Sequence, residues 1–151
     1  MEGFQEKLHA LFIEIYHNIR RLEEDILRRA KGVKLTISEM HLIEYVGRSM
    51  PTGLTIRKLA EQLKVKSPSV TVAVQKLITK GYVIKIPCAL DGRAVRVQLT
   101  RDGRRVDAYH QYYHRMMIKA ATAGTTVEEQ TILLSVVQRL NDYFLESIEE
   151  T

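Results

Sequence analysis

The chain has 151 residues, 45% hydrophobic and 27% charged, with one cysteine and a formal net charge of +5 at pH 7. This length can bury one substantial core, and a single cysteine excludes an intramolecular disulfide framework. No apolar run approaches a membrane span and the acid-bearing start MEGFQEKLHALF does not read as a signal peptide, so no membrane partner and a cytoplasmic location are expected.

The charge is unevenly spread. Residues 55–105 hold 12 Lys/Arg against 3 Asp/Glu, a surplus of +9, and the remainder carries −4, which together make the +5. A basic middle between acidic flanks is the footprint of a phosphate-binding module carried by helices with another task. Charge alone also allows a solvated basic surface with no partner.

In chain order, Phe4, Leu8, Leu11, Ile15, Ile19, Leu22 and Ile26 recur at steps of four and three, which predicts a helix of roughly seven turns ended by Gly32. A helix this long cannot lie wholly on a small domain, so part of its stripe is expected to face a partner. Thr36-Ile-Ser-Glu39 is a capping box that opens a second helix, about 37–48, with Met40, Leu42, Ile43 and Val46 inward. After a turn at Ser49–Gly53, Thr55 caps a short helix over 56–63, its inner face Ile56, Leu59, Ala60 and Leu63. Arg57, Lys58, Lys64 and Lys66 are placed for phosphate contacts on it and on the tight link that follows.

Ser67 to Lys80 is the stretch around which the rest is arranged. Ser67 is read as the N-cap with Pro68 at the first helical position, and Gly81 as the left-handed C-terminal cap. Val70, Val74, Leu77 and Ile78 recur at helical spacing. The other face offers Ser69, Thr71, Val72, Gln75 and Lys76, small or hydrogen-bonding groups with one cation and no acid. Such a face suits base edges in the major groove of double-stranded DNA. Two short helices joined by a tight link make a helix-turn-helix.

The period then changes to two. Tyr82–Ile86 and Ala94–Leu99 alternate as strands around an Asp91-Gly92 turn, which makes a β-hairpin wing. Arg93 near its tip and Arg96 on its polar face fit a minor groove, with Asp91 orienting an arginine. The fold class expected is mainly α with a small β-hairpin wing (α+β): a winged helix-turn-helix with long N- and C-terminal dimerisation helices.

Thr55-Ile-Arg-Lys-Leu-Ala-Glu-Gln-Leu63, Ser67…Val70-Thr71…Leu77…Lys80-Gly-Tyr-Val83 and Asp91-Gly-Arg93…Val97-Gln-Leu-Thr100…Gly103 together resemble the MarR family of winged-helix regulators in content, spacing and order. The resemblance covers nearly the whole chain and implies a DNA-binding homodimer built by the terminal helices. Thr100 opens a helix over about 101–122 with a stripe of Val106, Tyr109, Tyr113, Met116 and Ala120. Gly124 breaks it, and a second capping box, Thr126–Glu129, opens the last helix, about 127–149. There Leu133, Val137, Leu140, Phe144 and Ile148, with Ile132, Val136 and Tyr143, form an apolar face too broad for one contact. The division expected is 1–35 as N-terminal dimerisation helix, 36–100 as DNA-binding domain and 101–151 as C-terminal dimerisation helices, intertwined as one domain.

Catalytic motifs are missing: there is no glycine-rich phosphate loop, nucleophile elbow, HExxH or CxxC pattern, and no enzyme is expected. His110 and His114 stand at metal-ligand spacing. In the zinc-responsive branch of the resembled family the ligands come from matching regions, which implies Glu24, His41, His110 and His114 as an alternative zinc set. The stretches Thr36–Glu44 and Tyr109–Met116 look instead like the FabT-type repressors of fatty-acid synthesis, whose co-repressor is acyl-acyl carrier protein. That branch implies acyl carrier protein as a partner, no zinc, and no certain resident cofactor. Ile15, Ile19, His41, Tyr45, Tyr109 and Tyr113 are the candidate effector pocket, for an acyl chain or another amphipathic ligand, with dimer core as the alternative use of the same side chains. Cys88 is read as a packed or idle thiol.

The sequence therefore points to a ligand-responsive repressor on a pseudo-palindromic operator. Its alternatives are a zinc-responsive sensor and a winged-helix protein-interaction module without specific DNA binding.

Overall fold

The protein is described from a computed structural model over residues 2–88 and 94–149. Its elements are α1 (Glu2–Arg29), α2 (Ile37–Arg48), β1 (Leu54–Thr55), α3 (Ile56–Leu63), α4 (Ser67–Thr79), β2 (Val83–Pro87), β3 (Val95–Leu99), α5 (Arg101–Ala121) and α6 (Val127–Glu149). The backbone gathers into two compact units, Met1–Tyr109 and His110–Thr151.

The first unit is built around a core contributed by α2, α3, α4 and the sheet. Ile43, Val46, Leu59, Val74, Leu77 and Val97 are fully enclosed, joined by Leu42, Leu54, Val70, Tyr82, Val83 and Leu99. The helical spacing of these residues on three short helices forces each helix to turn one face inward. The sheet is three-stranded and antiparallel in the order β1-β3-β2. β2 and β3 pair from Val83 opposite Leu99 to Pro87 opposite Val95, and Cys88 N–H donates to the Ala94 carbonyl at 2.8 Å.

β1 went unpredicted. Two residues, Leu54 and Thr55, are too few to show a period, yet they pair with Val97 and Arg96 and cover the other side of β3. Their pairing fixes the wing to the start of α3. Gly53, at φ +74, makes the approach possible, since a Cβ there would lie 2.4 Å from the Val97 carbonyl oxygen.

The capping box of α2 forms as expected: the Thr36 hydroxyl accepts from Glu39 N–H at 3.2 Å, and the Glu39 carboxylate accepts from Thr36 N–H at 2.9 Å. Glu39 is only 7% exposed and also takes the Lys80 ammonium on both oxygens, at 2.8 and 2.7 Å. One carboxylate thus closes the first turn of α2 and holds the residue that ends α4. Burial pushes the Glu39 carboxyl upward, but the Lys80 ammonium and the Thr36 N–H together outweigh it and hold the group below its ordinary value.

In the second unit, the Thr126 hydroxyl accepts from Glu129 N–H and the Glu129 carboxylate from Thr126 N–H, at 3.2 and 2.7 Å, the capping box read from sequence. Ile132, Leu133, Val137, Tyr143, Phe144 and Ile148 of α6 are all exposed in the single chain. In the first unit, α1 likewise exposes Phe4, Leu8, Leu11, Ile15 and Tyr16, and only toward its end is Ile26 buried.

Candidate nucleic-acid interface

The helix-turn-helix is assembled by local chemistry. Thr55 caps α3, its hydroxyl accepting from Lys58 N–H at 3.2 Å, and the helix ends at Lys64, which sits in the left-handed region at φ 52. Val65 N–H then donates to the Ala60 carbonyl at 3.1 Å, so the chain reverses within three residues and enters α4.

The start of α4 corrects the sequence reading by one residue. Lys66, with extended φ −73 and ψ 142, is the N-cap, and Ser67 is already helical. The Lys66 carbonyl accepts from Ser69 and Val70 N–H, so the helical ladder begins before the serine. Pro68 stays in the first turn, where its lack of an N–H is tolerated. No side chain caps this end. Gly81, at φ +83, follows the C-cap Lys80, as its position in sequence implied.

α4 divides cleanly. Val70, Val74 and Leu77 are buried, whereas Ser67, Pro68, Ser69, Thr71, Val72, Gln75 and Lys76 are exposed. The Thr71 hydroxyl donates to the Ser67 carbonyl at 3.0 Å, and that of Thr79 to the Gln75 carbonyl at 3.1 Å. Both therefore spend their donor inside the helix and turn a methyl outward. Ser69, Gln75 and Lys76 remain the polar side chains of this face. A shallow groove of about 350 Å³ is lined by Val72, Gln75, Lys76, Thr79 and Lys80.

Of the candidate phosphate contacts, Lys58 and Lys66 are exposed. Arg57 is exposed and pairs with Glu61 at 3.0 Å, a solvated i,i+4 pair that a phosphate can displace at little cost. Arg96 departs from the reading of a wing cation aimed at DNA: its guanidinium donates to the Gly53 carbonyl at 3.1 Å and is partly buried. The reason is β1, whose pairing brings the 51–53 turn against β3. Gln98 serves the same turn by donating to the Pro51 carbonyl at 2.6 Å. Asp91 and Arg93 lie outside the described residues.

The sequence profile of the MarR family matches residues 32–94, the span from the α1–α2 link to just before β3. Over that span the chain resembles the MarR family. It is a DNA-binding winged-helix transcriptional regulator and not an enzyme. Among curated proteins it is 24% identical over 123 residues to the uncharacterised helix-turn-helix transcriptional regulator YhjH of Bacillus subtilis, covering 74% of this chain and 69% of that one. It is similar to Streptococcus pneumoniae FabT in complex with DNA, with a TM-score of 0.85, 25% identity, and 94% and 98% of the two chains covered. A likeness of fold extends to the Staphylococcus aureus MepR–DNA complex, at a TM-score of 0.69 and 19% identity over 89% of this chain and 96% of that one.

The zinc set implied by the MarR resemblance does not come together as read. Glu24 is exposed and pairs with Arg20 at 3.2 Å, while its neighbour Glu23 is buried and meets His41 Nε2 at 3.1 Å. Adjacent helical positions differ by about 100° in direction, so only one of the two acids can face α2. In the second unit, His110 and His114 bring their Nε2 atoms to 2.9 Å. The four-residue set with Glu24 as its carboxylate therefore does not fit a zinc ion.

Among the effector candidates, Ile15 and Tyr109 are exposed, and Ile19, His41 and Tyr45 are partly buried in the first unit; Tyr113 is partly buried in the second. A groove of about 540 Å³ opens instead between the end of α1 and the start of α2, lined by Arg20, Leu27, Arg28, Val33, Leu35 and Ile37 among others. Another, of about 300 Å³, is lined by Tyr45, Arg48, Ser49, Leu54 and Gln62. Of the six candidates only Tyr45 lines either of these two. Among the described residues no helix is long and apolar enough to cross a membrane.

Proposed function

We propose that this MarR-like regulator is a cytoplasmic repressor that acts as a homodimer on a pseudo-palindromic operator. In this reading each subunit sets α4 in a major groove and the hairpin after it against the flanking minor groove. The observation that carries the proposal is the division of α4 into a buried apolar face and an acid-free exposed face, within a segment of +9 charge. The exposed apolar side chains of α1 and α6 support the second copy, because a soluble chain seldom leaves so many uncovered. Two-fold symmetry then sets half-sites about one helical turn apart.

The test is selection of duplexes from a random library, followed by anisotropy titration of the best sequence across a salt series. A palindromic site bound as a dimer, with affinity falling steeply in salt, is the expected outcome. Binding with no sequence preference would replace this reading by a winged-helix protein-interaction module.

The finer reading is control of fatty-acid synthesis genes with acyl-acyl carrier protein as co-repressor. It is supported by the resemblance of Thr36–Glu44 and Tyr109–Met116 to FabT-type repressors and by the likeness to FabT itself. Operator affinity that rises on addition of acyl-acyl carrier protein, and not of the unacylated carrier, is the expected result. The same titration with zinc tests the metal-sensing alternative, for which no change is expected.

A further inference from the structure

On the exposed face of α4 the residue farthest from the core is apolar. Each residue advances about 100° around a helix, which sets Val72 opposite the buried Val70, Val74 and Leu77, with Ser69, Gln75 and Lys76 within about 60° of it. Val72 is 57% exposed and lines the groove that runs along this face. In the free protein this is a poor choice of residue. Valine is a weaker helix former than alanine, and its two methyl groups gain nothing in water.

The neighbours define what would repay it. Thr79, seven residues on and within about 20° of Val72 around the helix, spends its hydroxyl donor on the Gln75 carbonyl and lines the same groove. The apex is thus an apolar strip flanked by Ser69 and Gln75 on one side or the other and by the Lys76 ammonium. In a DNA major groove, the 5-methyl group of thymine is the apolar element among the base edges.

We propose that Val72 specifies a thymine in each operator half-site by packing on its 5-methyl group. The assignment rests on α4 entering the major groove, as proposed above. It deepens that reading by naming the base pair, A·T with its thymine toward α4, that must face the middle of the helix. Uracil pairs identically and lacks only the methyl, so it isolates the contact.

The experiment first selects an operator from a random duplex library with the full-length protein. Failure to enrich any site would overturn the regulator reading itself and leave Val72 without a base to face. With a site in hand, each thymine of one half-site is replaced singly by deoxyuridine, and affinity is measured for wild type and Val72→Ala. Burial of one methyl is worth about 0.8 kcal/mol, or roughly fourfold in affinity. Wild type should lose about fourfold at one thymine per half-site, and about fifteenfold when both half-sites are changed. Val72→Ala should bind the thymine and uracil duplexes within a factor of about two of each other. The variant is an exposed helix position gaining a better helix former, so it should fold as wild type does. Uracil tolerated at every thymine by wild type, or an undiminished loss in Val72→Ala, would overturn the assignment.

Discussion

The Glu39 carboxylate serves two partners at once, the Thr36 N–H and the Lys80 ammonium, and through the first it closes the opening turn of α2. Its carboxyl is held below the ordinary value of 4.5, so the stabilisation it provides is complete above that pH and is lost as pH falls through the lowered value. Glu39→Gln should cost about 1–3 kcal/mol at pH 7, by leaving the Lys80 ammonium without its anion. Urea unfolding of both proteins at pH 7 and at successively lower pH checks this, with the gap narrowing in acid; a gap that stayed constant would exclude the ion pair as its source. Gly103 makes a different demand. Its N–H donates to the Thr100 hydroxyl, and a Cβ would stand 2.1 Å from the Tyr82 carbonyl oxygen. Gly103→Ala should therefore destabilise by about 1–3 kcal/mol, the range of an overpacked site, and a melting temperature equal to wild type would show that α5 can shift to make room.

At the scale of elements, most of the fold could be read from the chain because each helix carries its own punctuation. Thr36, Thr55 and Thr126 cap, Gly32, Gly81 and Gly124 follow ends in the left-handed region, and the apolar spacing between them marks the faces. What could not be read depended on pairing between distant segments. β1 exists only because β3 is beside it, and Arg96, read as a wing cation, is held by the turn that β1 brings in. Arg96→Ala is accordingly expected to lower stability by about 1 kcal/mol while leaving the salt slope of operator binding unchanged. A reduced slope would return Arg96 to the DNA. Gln75→Ala, on the exposed face of α4, should leave folding intact and relax base preference at one position of each half-site, by roughly 5- to 100-fold in discrimination. Competition between operators altered at single positions measures it. The zinc set failed for a related reason: spacing could not say whether Glu23 or Glu24 faces His41, and the structure selects Glu23.

For the whole molecule, the apolar side chains exposed on α1 and α6 set the expectation. Leu133→Glu with Val137→Glu should give a chain that sediments as a monomer and retains its helical circular dichroism. Its operator affinity should fall by on the order of 100-fold or more, since the second half-site is no longer delivered at high effective concentration. A dimer that survived both charges would move the interface to α1. The periodicity of these helices was legible in the sequence, whereas the two compact units, meeting between Tyr109 and His110, were not. α5 runs unbroken through that point, so its stripe gives no sign of it.

The bridge between Lys80 and Glu39 ties the end of α4 to the first turn of α2, while Val70 and Val74 seat the rest of the helix on the core. Its thirteen residues extend about 20 Å from that fixing to the first turn. A swing of only about 5° about the Lys80 end would carry Ser67 and Pro68 almost 2 Å sideways, more than a hydrogen bond to a base edge tolerates. Since the bridge reaches the first turn of α2, any displacement of α2 that turned α4 with it would be multiplied at the far tip, where the proposed base contacts begin.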